Sequence, residues 1–97
     1  MLVVDDGAPD GTGDVADALV TDSSGRVSVL HRSGPRGYGL SCIDGMQRAL
    51  RTDATVVCQM DSDLSHDPID VPRLLDATAN ADLFIGSRYV PGGRIEN

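Results

Sequence analysis

The chain has 97 residues, enough for one small domain, and 40% of them are apolar, so a hydrophobic core is possible. Its formal net charge is −7, because 15 acidic residues, all aspartate except Glu96, outnumber eight basic residues that are all arginine. An acidic chain without lysine argues against nucleic acid or an anionic membrane face as the direct partner of this segment.

Strands and helices alternate along the sequence. Short apolar or alternating runs that end in Gly, Pro or Asp indicate strands, and apolar residues three and four positions apart indicate helices. In chain order, the predicted elements are a strand at residues 1–4, a helix at 14–20, a strand at 26–30, a helix at 40–50, a strand at 55–60, a helix from Asp70 or Val71 onward and a strand at 82–87.

This order predicts an α/β fold with a parallel sheet, in which residues 1–4 pair with residues 27–30. In such sheets ligands bind beyond the carboxyl ends of the strands. Polar clusters follow all four predicted strands, at Asp5-Asp6, residues 31–36, residues 61–63 and Ser87-Arg88. The sequence therefore predicts one ligand site along that rim of the sheet.

Two cysteines and the lack of a long apolar run bear on the compartment. Cys42 and Cys58 lie in a predicted helix and a predicted strand, which indicates buried, reduced thiols and favours a reducing cytosolic setting. The sequence has no signal peptide and no apolar run of about 18 residues, so we predict no transmembrane segment in this chain.

The strongest single motif is Asp61-Ser62-Asp63 at the tip of an apolar strand. In an extended chain the two carboxylates point the same way, roughly 7 Å apart, and can share one divalent ion. Mg²⁺ and Mn²⁺ prefer hard oxygen ligands and commonly join a few carboxylates to the phosphates of a ligand. Ser65 is predicted to add a hydroxyl or a water-mediated ligand. The alternative is that these residues cap the next helix and solvate a loop.

The remaining polar residues leave alternatives open. Asp5-Asp6 either accept hydrogen bonds from a nucleobase or ribose, or serve turn chemistry. His66 is predicted to orient the neighbouring aspartates rather than to bind a ligand itself. Arg88 either reaches a phosphate or pairs with an aspartate. Arg32 and Arg36 are predicted to solvate their loop.

Two other protein classes share parts of these motifs. The opening "MLVVDD" resembles a response-regulator receiver domain, a signalling module that binds Mg²⁺ in an acidic pocket. The stretch "MDSDLS" resembles the nucleophile loop of haloacid-dehalogenase-type phosphatases. Both classes complete their sites with a lysine, and this chain contains none.

Taken together, "VVDDGAPDGTGDVAD", "VLHRSGPRGYGLSCIDGMQRAL", "VVCQMDSDLSHDP" and "ADLFIGSRYVPGG" resemble the polyprenol-phosphate (dolichol-phosphate) mannosyltransferases of glycosyltransferase family 2. The resemblance covers essentially the whole chain in the family's order. It implies a parallel-sheet, Rossmann-like GT-A core that binds a nucleotide sugar, with residues 1–97 forming part of the catalytic domain, incomplete at both ends.

The same resemblance implies roles for individual residues. Val4, Asp5 and Asp6 would hold the guanosine of GDP-mannose. Asp61 and Asp63 would bind Mg²⁺ or Mn²⁺ and the donor diphosphate, with Ser65 at a position that contributes to the metal. Arg88 would stabilise the diphosphate or the acceptor region, and Asp63 and Arg88 would be the catalytic residues.

The activity implied by the resemblance is transfer of mannose from GDP-mannose to a polyprenyl or dolichyl phosphate, with inversion. The acceptor lies in a membrane, so the implied location is its cytoplasmic side. Members of the family normally have a strand before "VVDD" and further segments after "GGRIEN". We therefore expect this chain to be part of a longer catalytic domain and to be inactive alone.

Overall fold

The computed structural model describes residues 1–94 and divides the chain into two compact units, one over Met1–Val57 and one from Cys58 onward. Its elements are β1 (Leu2–Asp5), α1 (Thr12–Asp22), β2 (Ser28–His31), α2 (Tyr38–Ala49), a 3₁₀ turn (Pro68–Asp70) and α3 (Val71–Ala77). The α/β class predicted from the sequence is confirmed.

The first unit is built on a parallel pair of strands. β1 pairs with β2 in the register Leu2↔Ser28 through Asp5↔His31, which confirms the predicted parallel pairing. Backbone hydrogen bonds close both ends of the ladder, from Ser28 N–H to the Met1 carbonyl (2.9 Å) and from Arg32 N–H to the Asp5 carbonyl (2.8 Å). The register therefore sets Asp5 beside His31 at the carboxyl end of the sheet.

Local side-chain bonds fix where α1 begins. Asp10 Oδ1 accepts hydrogen bonds from the Thr12 backbone N–H (3.1 Å) and the Thr12 hydroxyl (2.6 Å). Gly11 precedes the helix with φ of 88°, a left-handed conformation that glycine adopts without strain. The helix begins before the predicted 14–20 because these contacts bring Thr12 and Gly13 into its first turn, and it continues to Asp22.

Helix α2 packs on β1 through a glycine. A Cβ placed at Gly45 would lie 2.9 Å from Val4 Cγ2, so a larger residue would force Val4 or the helix to shift. Gly39, in the first turn of the same helix, has no neighbouring atom within 4 Å of the corresponding position. The two glycines therefore differ in packing while sharing one helix.

Gly45→Ala is expected to destabilise the chain relative to Gly39→Ala by about 1–3 kcal/mol, the usual cost of an extra methyl group in a packed contact. Gly39→Ala should gain about 0.5–1 kcal/mol, because alanine loses less backbone entropy in a helix. Urea unfolding of the two variants measures the difference. Equal midpoints would contradict the close packing of α2 on β1.

Two predicted strands are wrong. Neither residues 55–60 nor residues 82–87 form a strand, and the sheet of the described residues consists of β1 and β2. Strand geometry persists only where a neighbouring strand offers complementary N–H and C=O groups. Within the described residues, neither segment has a strand beside it to pair with.

Little apolar surface is fully buried in the described residues. Ala16, at 3% exposure, is the one buried apolar side chain among them, whereas Val56 is 43% exposed. The prediction of two buried thiols is wrong for Cys58, which is exposed because residues 55–60 do not join the sheet, and Cys42 is half-buried. Among residues 1–94, no helix combines the length and apolar character needed to cross a membrane.

Candidate functional site

The predicted site residues fall into both units of the chain. Val4, Asp5 and Asp6 lie in the first unit, together with the loop that follows β2. Asp61, Asp63, Ser65 and Arg88 lie in the second unit. The first unit brings Asp5-Asp6 and the loop after β2 together, as the parallel register requires.

Asp5 ends β1 and is 8% exposed. Its Oδ1 accepts backbone N–H bonds from Gly7 (3.2 Å) and Ala8 (3.4 Å), while its Oδ2 lies 2.9 Å from His31 Nδ1. The hydrogen bond with His31 lowers the pKa of the Asp5 carboxyl against the opposing effect of burial, and the two backbone donors add to it. Asp5 is therefore a carboxylate that shapes the turn after β1.

The Asp6 carboxylate is also bonded through both of its oxygens. Its Oδ1 pairs with Arg32 Nη1, and its Oδ2 accepts a 2.7 Å bond from the Gly37 backbone N–H. The Gly37 bond and then the Arg32 charge lower the pKa of Asp6. Both carboxylates thus meet donors of the protein itself. Asp5 makes the turn bonds that the sequence left open, whereas Asp6 bonds residues of the loop after β2.

Arg32 has its guanidinium side chain only 6% exposed. Nε donates to Asp44 Oδ2 at 2.6 Å, Nη1 pairs with Asp6, and both terminal nitrogens approach the Pro35 carbonyl at 3.4 Å. The prediction that Arg32 solvates its loop is wrong, because carboxylates from the end of β1 and from α2 converge on it. Arg36 is exposed, in agreement with the prediction.

Sequence reasoning missed His31, Arg32 and Asp44 as members of this cluster. The signal was present in the predicted pairing of residues 1–4 with 27–30. Extending that pairing by two residues sets Asp5 and Asp6 against His31 and Arg32. Val4, assigned to the nucleotide by resemblance, is half-buried and directs Cγ2 at α2.

In the second unit, the loop after residues 55–60 is ordered by its own polar groups. Asp63 Oδ1 accepts bonds from the Ser65 backbone N–H (3.0 Å) and hydroxyl (2.5 Å). The Asp61 backbone N–H donates to His66 Nδ1 at 3.0 Å. His66 thus bonds the backbone of the motif, and its predicted role in orienting the aspartate side chains stays a prediction.

Backbone strain marks the same loop. Leu64, between Asp63 and Ser65, has φ of 68°, a left-handed conformation that costs a non-glycine residue about 1–2 kcal/mol. The Leu64 side chain is 93% exposed, so packing does not offset this cost. Strained residues held by local hydrogen bonds cluster at ligand sites.

The donor chemistry of this loop fits Mg²⁺ or Mn²⁺. The two Ser65 bonds lower the pKa of Asp63, first through the hydroxyl and then through the backbone N–H, so Asp63 is a carboxylate at neutral pH. Both bonds use Oδ1, which leaves Oδ2 available to a cation. The described residues contain no group of three or more His, Cys, Asp or Glu that could hold a metal, so phosphate oxygens and water would complete the coordination.

Ser87 and Arg88 lie in an exposed loop of the second unit. The Ser87 hydroxyl accepts a 3.1 Å bond from the Tyr89 backbone N–H. Arg88 forms no ion pair with an aspartate within residues 1–94. Of the two roles left open for Arg88, contact with a phosphate stays a prediction.

Comparison with known proteins places these features in a family. The chain is 51% identical over 98 residues to the polyprenol monophosphomannose synthase of Mycolicibacterium smegmatis, with all of this chain and 37% of that protein aligned. It is 48% identical over 97 residues to the undecaprenyl-phosphate mannosyltransferase of Micrococcus luteus, covering 40% of that protein. It is 40% identical over 98 residues to the dolichol-phosphate mannosyltransferase of Pyrococcus furiosus, covering 26% of that protein.

The chain therefore spans less than half the length of these curated relatives. No solved structure matches it. The model of glycosyl transferase family 2 matches residues 1–96, nearly the whole chain. The chain belongs to glycosyl transferase family 2.

Proposed function

We propose that the protein containing this chain transfers mannose from GDP-mannose to a polyprenyl phosphate, with inversion, to form polyprenyl-phosphate mannose. The observation that carries the proposal is the 51% identity, along the whole chain, with a polyprenol monophosphomannose synthase. Two further relatives carry mannosyltransferase names with polyprenyl phosphates as acceptors. The ordered Asp63 loop supports it, since a nucleotide-sugar diphosphate requires a cation in a chain of net charge −7.

Each unit has its own task in this proposal. In the first, the turn after β1, fixed by Asp5 and Asp6, recognises the guanosine, with Val4 beneath it. In the second, Asp61 and Asp63 bind the cation that carries the diphosphate, and Ser65 contributes its hydroxyl. Arg88 contacts the diphosphate or the acceptor phosphate.

The residues present suit a reaction in which the acceptor needs no strong base. A phosphate monoester oxygen is already anionic near neutral pH, so the nucleophile requires positioning rather than deprotonation. Bound Mg²⁺ or Mn²⁺ would supply a Lewis acid for the negative charge that develops as GDP departs. The carboxylates of Asp61 and Asp63 hold that charge in place, and Arg88 adds a positive charge beside it.

The acceptor also sets the location. A polyprenyl chain lies in the membrane, so its phosphate is presented at the surface of the bilayer. We place the reaction on the cytoplasmic side of the membrane, where the nucleotide sugar meets this phosphate. The protein is held there peripherally or by segments outside the given sequence.

Isothermal titration of the chain with GDP-mannose tests the donor and the cation together. Binding is expected in Mn²⁺ or Mg²⁺ and is expected to weaken by more than about tenfold with chelator, because the diphosphate then faces carboxylates directly. UDP-glucose under the same conditions serves as the control for the nucleotide and the sugar. Equal affinity with metal and with chelator would contradict the proposal.

Two assays test the rival classes. A receiver domain would be phosphorylated by acetyl phosphate at one aspartate, which mass spectrometry detects. A haloacid-dehalogenase-type phosphatase would hydrolyse p-nitrophenyl phosphate. We expect neither, because both classes require a lysine that the sequence lacks.

A further inference from the structure

His31 joins three elements of the first unit at one point. Its Nδ1 lies 2.9 Å from Asp5 Oδ2 at the end of β1, and its Nε2 lies 2.9 Å from Asp17 Oδ1 on α1. A neutral imidazole has a single N–H, whereas both partners here are carboxylates that only accept. The imidazolium form, with two N–H donors, is the form that fits both contacts.

The charges around His31 favour that form. The hydrogen bond with Asp5, and then the one with Asp17, raise the pKa of His31, while partial burial opposes them. On the α2 side, His31 borders a shallow open groove of about 270 Å³. Its other lining residues are Leu30, Arg32, Ser33, Asp44, Gln47, Arg48 and Arg51. Asp44 there favours the imidazolium, and the arginines oppose it.

Close packing holds this contact in one geometry. A Cβ placed at Gly13 would lie 2.8 Å from Asp5 Oδ2 and 3.5 Å from His31 Cε1. The first turn of α1 therefore lies directly against the Asp5–His31 pair. Asp5 in turn accepts the backbone N–H groups of Gly7 and Ala8. Loss of the second imidazole proton therefore alters the bonding of the Asp5 carboxylate, which also holds the turn after β1.

We propose that His31 is a positioning residue for the donor nucleotide: by bridging Asp5 and Asp17 it holds the turn at residues 5–8 in the conformation that receives the nucleoside. The assignment of the nucleotide to this turn rests on the proposed function. The bridge between β1 and α1 rests on the contacts alone.

The bridge has a defined pH window. Because the pKa of His31 is raised in the folded chain, the bridge is complete below the ordinary histidine pKa and is lost as pH rises through the folded value. Because the pKa of Asp5 is lowered, the bridge is also lost as pH falls through the pKa of Asp5 in the folded chain. The turn is therefore expected to be fixed between these two limits.

The first test needs no ligand. In NMR titrations of the chain, the His31 Cε1–H resonance is expected to titrate above the ordinary histidine range, and the Gly7 and Ala8 amide resonances should move with the same midpoint. Asp17→Asn should lower that midpoint, whereas Asp22→Asn, the same charge change at an exposed site on α1, should leave it near the wild-type value. Gly7 and Ala8 amides that do not follow the imidazole would overturn the proposal.

The second test measures GDP-mannose affinity against pH in Mn²⁺ for the wild type and His31→Gln. The wild-type affinity should fall by about tenfold as pH rises through the His31 midpoint, the size expected for one charge-assisted hydrogen bond. His31→Gln should be weak and nearly independent of pH over that interval.

The outcomes separate the two proposals. Binding with the same pH profile in both chains would overturn the role of His31 and leave the proposed function standing. No binding by the wild type at any pH would contradict the proposed function, while the NMR test still decides whether His31 fixes the turn. The NMR test does not use His31→Gln, so it holds even if that variant fails to fold.

Discussion

Asp63→Ala is expected to abolish the effect of Mg²⁺ or Mn²⁺ on GDP-mannose binding. Removing a group that merely orients a metal ligand typically lowers metal affinity by ~10–100-fold. Loss of a direct carboxylate ligand should lower the metal affinity by at least as much. Titration calorimetry of the variant should therefore give the same weak affinity with metal and with chelator.

The expectation follows from how the loop holds this carboxylate. Ser65 fixes Oδ1 through two hydrogen bonds, so Oδ2 is presented in one orientation rather than several. Such preorganisation lowers the entropy lost when the cation binds. Leu64 keeps its left-handed backbone in the same turn, which shows that the loop is held against a local preference.

Two neighbouring substitutions make the test specific. Ser62→Ala changes the middle residue of the motif and should leave the metal effect intact. Ser65→Ala removes a hydroxyl assigned to the cation and a bond that lowers the pKa of Asp63, so metal binding should weaken less than in Asp63→Ala and its acid limit should move to higher pH. A metal effect that persists in Asp63→Ala would contradict the assignment of this residue.

The sequence predicted the first unit well because its signals are local. Residues 1–4 and 27–30 are apolar runs joined by a helical segment, and this pattern admits few arrangements other than a parallel pair. The cluster of polar residues at the carboxyl end of the sheet was not predicted, for a different reason. Taken singly, Asp5 and Asp6 suit either a ligand or a turn, and His31 and Arg32 suit a loop, although extending the predicted pairing by two positions sets them opposite one another.

The two wrongly predicted strands show which features of a fold a local sequence pattern does not determine. Residues 82–87 read "DLFIGS", and their composition suits a strand, yet Leu83 and Ile85 are 75% and 78% exposed. A strand depends on a neighbour that is distant in sequence, and apolar alternation does not identify that neighbour. The loop at Asp61–Ser65 depends on bonds between residues two to five positions apart, so its order could be anticipated from sequence.

The second large effect is expected at Arg32. Arg32→Gln should lower the urea midpoint of the first unit markedly and weaken GDP-mannose binding, because it leaves two carboxylates facing one another without the charge between them. Asp6 and Asp44 both bond the guanidinium, which is almost fully buried. Asp6 and Asp44 keep 24% and 44% of their side-chain surface exposed, so the loss comes from two broken ion pairs and from the repulsion between the remaining carboxylates.

The direction in which the acid unfolding of Arg32→Gln shifts identifies the cause of its lower stability. In the wild type the Gly37 backbone bond and the Arg32 charge lower the pKa of Asp6, so Asp6 contributes stability above its unfolded pKa that is lost as pH falls through the folded value. Without the guanidinium, that lowering is smaller. Acid unfolding of Arg32→Gln should therefore begin at a higher pH than in the wild type.

Arg36→Gln is the matched control, because it removes the same charge from the same loop at an exposed position. Any general effect of making an acidic chain more acidic appears equally in both variants, so the difference between them isolates the buried cluster. Arg36→Gln should keep the wild-type urea midpoint and acid limit. If the two variants unfold alike, the cluster of Asp6, Arg32 and Asp44 does not hold the end of the sheet, and the turn after β1 must be fixed by the bonds of Asp5 with His31, Gly7 and Ala8.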